Sequence, residues 1–206
     1  MAIEFEKSNT KINLMKAFAG ESQARNRYTF SASQAKKDGL AIVEKIFLFT
    51  ADQEKEHAKL FYGKLAPLCG ESIEIESSFP VNTYKNSVDL LKCAAAGEYE
   101  EYGDVYKAFS EEAKAEGFEE ISQLFHNVAQ IEKLHGDRFK KLADLIETGR
   151  LFESEKEERW FCLNCGNIHY GKTAPLKCEV CEHPQGYFIS QDWILIRKRL
   201  MLWLFL

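Results

Sequence analysis

At 206 residues, with 45 % hydrophobic and 29 % charged side chains, the chain is long enough for one sizeable core and a small satellite domain. Its net charge of −5, with no basic stripe to neutralise phosphates, argues against nucleic acid as a partner. The opening MAIEFEKSNTK lacks a basic stretch followed by an apolar one, so no export signal is read and a cytoplasmic location is expected. Six cysteines are too few for a disulfide scaffold, and four of them form two CxxC pairs, which in a reducing compartment reads as metal ligation.

Four segments carry helical periodicity. The first runs from Thr10 to Lys37, with Asn9 or Thr10 as N-cap and an inward stripe Leu14, Phe18, Glu21, Arg25, Tyr28, Ala32, Ala35. The second spans Ala41 to Leu65, its stripe running Val43, Phe47, Thr50, Glu54, His57, Phe61, Leu65. The third spans Ser87 to Ala115 through Leu91, Ala94, Glu98, Glu101, Val105 and Phe109. The fourth spans Phe118 to Glu147 through Ile121, Phe125, Val128, Glu132, His135, Phe139, Leu142 and Ile146. Each stripe is apolar at both ends and polar in the middle. Short turns around Gly39 and Gly117 make two antiparallel hairpins, and the long connection 66–86 fits a crossover along the bundle, as in ferritin-like folds. The expected fold is therefore mainly α: a ferritin-like four-helix bundle over 1–149, a charged linker over 150–158, a small four-cysteine domain over 159–192, and an apolar tail over 193–206.

An internal repeat supports the hairpin pair. Glu54-x-x-His57 recurs 78 positions later as Glu132-x-x-His135, and Gly20-Glu21 recurs 77 positions later as Gly97-Glu98. Residues three apart share a helix face, so each ExxH points its two side chains the same way. Glu21, Glu54, His57, Glu98, Glu101, Glu132 and His135 then meet inside the bundle at one depth. An unpaired buried ion costs several kcal/mol, and several carboxylates together would be forced to stay protonated. Two cations remove both problems. Carboxylate oxygens with imidazole nitrogens suit iron or manganese, and one Glu from each of two helices plus ExxH from each of the others is the di-iron carboxylate pattern described for such bundles. Glu101 breaks the twofold pattern, its counterpart being Ala24. It is expected to be an extra ligand that makes the two metal positions unequal. Tyr28 and Tyr106, two turns beyond Glu21 and Glu98, are placed either to hydrogen-bond ligand carboxylates or simply to pack in the core.

Cys162-x-x-Cys165-Gly166 and Cys178-x-x-Cys181 form two knuckles able to set four thiolates tetrahedrally around one ion, with backbone amides aimed at the sulfurs. Four sulfurs suit zinc or iron alike. A neighbouring redox site favours iron, a one-electron carrier, over redox-silent zinc. Trp160, Phe161, Tyr170, Tyr187 and Phe188 are expected to wrap this site, while Cys69 and Cys93 are read as small buried hydrophobes.

GESQARNRY at 20–28, EKEH at 54–57, AGEYEEYGDVY at 96–106, EKLH at 132–135 and CLNCG with CEVC between 162 and 181 together resemble the rubrerythrin family, over about residues 8 to 190. The resemblance implies a di-iron centre, a rubredoxin-like iron site, and a non-haem peroxidase that reduces hydrogen peroxide to water. It implies electrons from NAD(P)H through reductases and rubredoxin-type carriers, and a homo-oligomer in which the cysteine-bound iron of one subunit faces the di-iron site of another. Position by position, Glu21, Glu54, His57, Glu98, Glu101, Glu132 and His135 match di-iron ligands, with His57 and Glu101 the pair exchanged as oxidation state changes. Tyr28, Tyr106 or a ligand carboxylate are the candidate proton donors. An oxygen-reducing ferroxidase and an iron store with structural zinc are the competing readings. The tail WILIRKRLMLWLFL departs from the family. Its apolar run of seven is too short to span a bilayer, so it is read as an irregular extension.

Overall fold

The structure, a computed structural model, describes residues 3–191. The tail from Trp193 lies outside the described residues. Among the described residues five α-helices form four rods: α1 (Asn9–Lys37), α2 (Ala41–Lys64), a third rod made of α3 (Ser87–Glu100), a π segment (Glu101–Val105) and α4 (Tyr106–Glu116), and α5 (Glu119–Glu147). α1 packs chiefly on α2, and the third rod on α5, which makes the two hairpins. After a short turn at Ala66–Leu68, the crossover carries no regular structure up to α3.

The stripes explain the packing. Phe47, Leu91, Phe139 and Leu142 fill one end of the bundle, and Leu14, Phe61, Phe125 and Tyr106 fill the other. All eight are almost completely buried, each aliphatic or phenyl group contributing about 1.5–3 kcal/mol. Between these plugs lies the polar belt. On α1 the inward residue is Ala24, and Arg25 is exposed, which corrects the stripe: from Leu14 the buried positions step by three and then four, through Ala17, Glu21, Ala24 and Tyr28, rather than by four and then three.

Two local expectations also change. The N-cap of α1 is Ser8, whose Oγ accepts from Lys11 N at 3.2 Å. The carboxylate of Glu116, at the end of α4, covers the next amides, accepting from Asn9 N and Thr10 N at 2.8 Å each. The third rod is not a continuous α-helix. Glu21 and Glu98 stand 77 positions apart, but Tyr28 and Tyr106 stand 78 apart, so one extra residue lies between Glu98 and Tyr106 relative to α1. The π segment is where that residue is accommodated.

Residues 153–158, read as linker, instead begin strand β1 (Glu153–Cys162). β1 pairs antiparallel with β2 (Ile168–Thr173) on one side and β3 (Phe188–Ser190) on the other, giving the order β2-β1-β3. Charge hid the strand, because its charged half has no buried face: only Trp160 and Cys162 are buried. The small domain has its own core of Trp160, Cys162, Ala174, Cys178 and Phe188, and it seats Ile189, Phe161 and Leu163 on the bundle end near Leu40 and Ile146.

Candidate metal centres

The belt brings six of the seven predicted side chains together. Glu21 from α1, Glu54 and His57 from α2, Glu98 from α3, and Glu132 and His135 from α5 are all buried. They form two groups of four donors that share Glu54 and Glu132: one adds Glu21 and His57, the other Glu98 and His135. The distances show how the sharing works. His57 Nδ1 stands 3.0 Å from Glu54 Oε2 and 2.9 Å from Glu132 Oε1, while His135 Nδ1 stands 3.0 Å from Glu54 Oε1 and 2.8 Å from Glu132 Oε2. Each shared carboxylate thus turns one oxygen to each histidine, the geometry of a bridge. Glu21 and Glu98 flank the pair, with oxygens 3.9 Å from His57 and His135 respectively.

The seventh residue, Glu101, opens the π segment and belongs to neither group of four. It is half-buried and lines a cavity of about 240 Å³ with Gly20, Arg27, Tyr106 and the crossover residues Phe79 and Pro80. Burial, then the Glu54 charge, pushes its carboxyl up to about 8, against the opposing pull of Arg27. Tyr28 donates to Glu98 Oε1 at 2.5 Å, and Tyr106 donates to Glu21 Oε1, so each phenol crosses to the carboxylate of the other hairpin.

The donor set fits metal ions on physical grounds. Glu21 Oε2, both oxygens of Glu54 and of Glu132, and Nδ1 of both histidines are buried and make no well-aligned hydrogen bond, although the histidine nitrogens crowd the Glu54 and Glu132 oxygens. Burial first, and the Glu54 charge with it, holds Glu21, Glu98 and Glu132 well above the usual carboxylate range. Glu54 resists its own burial only because both histidines lie against it, which brings it down to about 2. Orphaned lone pairs converging on two points are what two cations satisfy, and no apolar packing repays their desolvation.

In the small domain the four sulfurs also converge, Cys162 Sγ lying 3.7 Å from Cys181 Sγ and Cys165 Sγ 3.7 Å from Cys178 Sγ. The amides of Asn164 and Cys165 point at the Cys162 sulfur, and those of Val180 and Cys181 at the Cys178 sulfur. The Asn167 and His183 amides point at Cys165 and Cys181. The two knuckles are therefore the same turn repeated 16 positions apart. Trp160 and Phe188 seal one side, but Tyr170 is exposed, contrary to expectation. Cys69 is exposed and Cys93 half-buried, so neither is the small core residue expected.

Sequence reading missed the residues beneath His135. Gln53 Oε1 lies 3.1 Å from His135 Nε2, and Arg138 Nη1 reaches Thr50 Oγ1 at 2.7 Å and Gln53 Oε1 at 3.2 Å. Arg138 one turn after His135, on an apolar stripe, was the available signal.

A four-helix bundle with two bridging carboxylates, two ExxH histidines and an appended tetrathiolate module defines a ferritin-like di-iron protein with a rubredoxin-like domain. Residues 13–143 match the rubrerythrin family, and residues 160–189 match the rubrerythrin rubredoxin-like domain. A rubrerythrin of Clostridium perfringens is 47 % identical over 182 residues, covering 88 % of this chain and 93 % of its own length. One of Porphyromonas gingivalis is 47 % identical over 181 residues, covering 88 % and 89 %. Among solved structures, mixed-valence nigerythrin superposes with a TM-score of 0.59 at 27 % identity, covering 92 % of this chain and 88 % of that one. A bacterioferritin of Mycobacterium tuberculosis shares the fold at a TM-score of 0.61 and 14 % identity, over 72 % and 90 %.

The chain belongs to the rubrerythrin family, whose members are di-iron oxidative-stress proteins of oxidoreductase character. Its cofactors are those expected: a di-iron pair for the carboxylate–histidine belt and one iron for the four cysteines. No helix among the described residues is long and apolar enough to cross a membrane.

Proposed function

We propose that this protein reduces hydrogen peroxide to water, H2O2 taking two protons and two electrons to give two waters. The observation that carries the reading is that one chain holds both a buried six-donor belt and a tetrathiolate module. A protein that only stored iron has no use for a built-in one-electron relay. Ferrous ions bound in the belt supply the two electrons that O–O cleavage requires.

The side chains supply the rest. Glu54 and Glu132 hold the two positions at bridging distance, so both electrons are available to one substrate molecule. The plugs of Phe47 and Phe139 below, and Phe61 and Phe125 above, keep bulk water from the belt. Tyr28 and Tyr106 hold Glu98 and Glu21 through their hydroxyl hydrogens and stand as proton donors at those oxygens. His57, the less buried histidine at 8 % exposure against 0 % for His135, is assigned the exchange with Glu101 as oxidation state changes. The cavity beside Glu101 supports that role, because it gives the carboxylate room to move and peroxide a way in.

Electrons are assigned to an NAD(P)H-dependent reductase or a rubredoxin-type carrier, entering at the cysteine-bound iron. The working unit is a cytoplasmic homo-oligomer in which that iron serves the di-iron site of another subunit. The test is anaerobic reduction followed by stopped-flow mixing with peroxide or with oxygen. Fast reoxidation by peroxide and much slower reoxidation by oxygen is expected; the reverse order would discard the peroxidase assignment. Cys178→Ser should abolish NADH-linked turnover while the chemically reduced belt still reacts with peroxide.

A further inference from the structure

The two ligand histidines are related by the internal repeat, yet their surroundings differ. His135 is fully buried, and its Nδ1 faces the oxygens of Glu54 and Glu132. Its other nitrogen, Nε2, lies 3.1 Å from Gln53 Oε1. An amide oxygen only accepts, so the nitrogen facing it must carry the proton, and a neutral ring then keeps its lone pair on Nδ1.

What faces the ring is the Gln53 oxygen and not its NH2 group. Arg138 settles this. A guanidinium only donates, and its Nη1 lies 3.2 Å from the same Gln53 atom, which is therefore an acceptor. Arg138 is itself buried at 6 % exposure, held by Thr50 Oγ1 at 2.7 Å and stacked 5.2 Å from the Phe49 ring centroid. In this chain of contacts Arg138 and His135 both donate to the one Gln53 oxygen.

The other hairpin has no such chain. The repeat counterparts of Gln53, Arg138 and Thr50 are Ile131, Leu60 and Val128, none of which has a polar side chain. Among the described residues His57 Nε2 has no such hydrogen bond, and the ring is the more exposed of the two.

We propose that Gln53, fixed by Arg138, is a positioning residue that locks His135 in the tautomer able to ligate metal through Nδ1, so that of the two histidines only His57 is free to leave its metal. This rests on the reading that the belt ligates metal. Partners of this kind set a ligand's orientation and basicity, and their loss costs about 10–100-fold in metal affinity.

Two readouts test it without turnover: nitrogen-15 imidazole spectra of the metal-free protein, and anaerobic ferrous titration. In wild type His135 should keep a proton on Nε2 throughout and two ferrous ions should bind the belt. Gln53→Leu should mix the tautomers and weaken one of the two ions by about 10–100-fold. Gln53→Glu should restore both readouts, since its carboxylate accepts the same proton and pairs with Arg138. A folded Gln53→Leu protein with wild-type tautomer and affinities overturns the proposal, as does a Gln53→Glu protein no better than Gln53→Leu. If Gln53→Leu does not fold, Thr50→Val decides, because it loosens Arg138 and leaves Gln53 in place: a severalfold weaker ion is expected, and unchanged affinity overturns the proposal. Wild-type protein that binds no ferrous ion in the belt would instead overturn the metal reading beneath it.

Discussion

Gly186 of the small domain stands against Gly39 of the α1–α2 turn so closely that a Cβ on Gly186 would fall 1.7 Å from the Gly39 carbonyl oxygen. That contact, with Ile189 joining the apolar cluster at the end of the bundle, is what docks the tetrathiolate module. No side chain can enter there without moving backbone. Gly186→Ala should destabilise the docked form by about 1–3 kcal/mol, the usual cost of overpacking. Urea unfolding and protease cleavage between α5 and β1 should both report it; wild-type resistance to both would mean that the two domains are not in this contact.

The knuckles make a second prediction. Gly166 sits at φ 79° and its counterpart Glu182 at φ 63°, so the second turn places a side chain where the first has none. A left-handed conformation costs a non-glycine residue about 1–2 kcal/mol. Glu182→Gly should stabilise the module by about 1 kcal/mol and slow loss of its metal to a chelator. Faster metal loss would show that Glu182 contributes more than its backbone strain costs.

Glu116 links pH to stability far from either centre. Burial alone would raise its carboxyl, but the hydrogen bonds from Thr10 and Asn9 outweigh that and hold it below the ordinary value. A depressed pKa means stabilisation that is complete above the unfolded value of about 4.3 and is lost as pH falls through the lower folded value. Glu116→Ala should cost about 1–2 kcal/mol at pH 7, as loss of a helix cap does, with the difference from wild type shrinking as pH falls through the lowered folded value. Urea midpoints of both proteins across pH 3–7 would check it; a constant difference would rule out the ionised cap.

Glu101 stands beside the belt and outside both donor groups, so its replacement should separate function from fold. Glu101→Ala should keep the helical content and still bind two ferrous ions in the belt. Its peroxide turnover should fall by about tenfold or more, chiefly in kcat, because the carboxylate proposed to exchange with His57 would be gone. A peroxidase rate equal to wild type would remove Glu101 from the mechanism.

The bundle was legible because its stripes are long and their polar middles coincide: Glu54, His57, Glu132 and His135 could be placed inward from spacing alone. The phenol-to-carboxylate bonds of Tyr28 and Tyr106 were one of two readings the same spacing allowed, and their crossing to the other hairpin was not legible in it. Other features left weaker traces. The π segment shows in sequence only as the change from 77 to 78 in the repeat offset, which periodicity on the third rod alone does not reveal. The cap from Glu116 to α1 joins residues 106 and 107 positions apart, and the Gln53–Arg138 pair spans 85, so no local pattern announces them. β1 escaped because EKEE has no apolar alternation; it is held by pairing to β2 on one side and β3 on the other.

The most direct test of the whole account is anomalous scattering from crystals of protein grown with iron, measured on both sides of the iron absorption edge. Two iron peaks between Glu54 and Glu132, one beside His57 and one beside His135, with a third among the four cysteines, are predicted. A single peak in the belt, or none, would contradict the claim that these buried carboxylates and imidazoles exist to hold a metal pair.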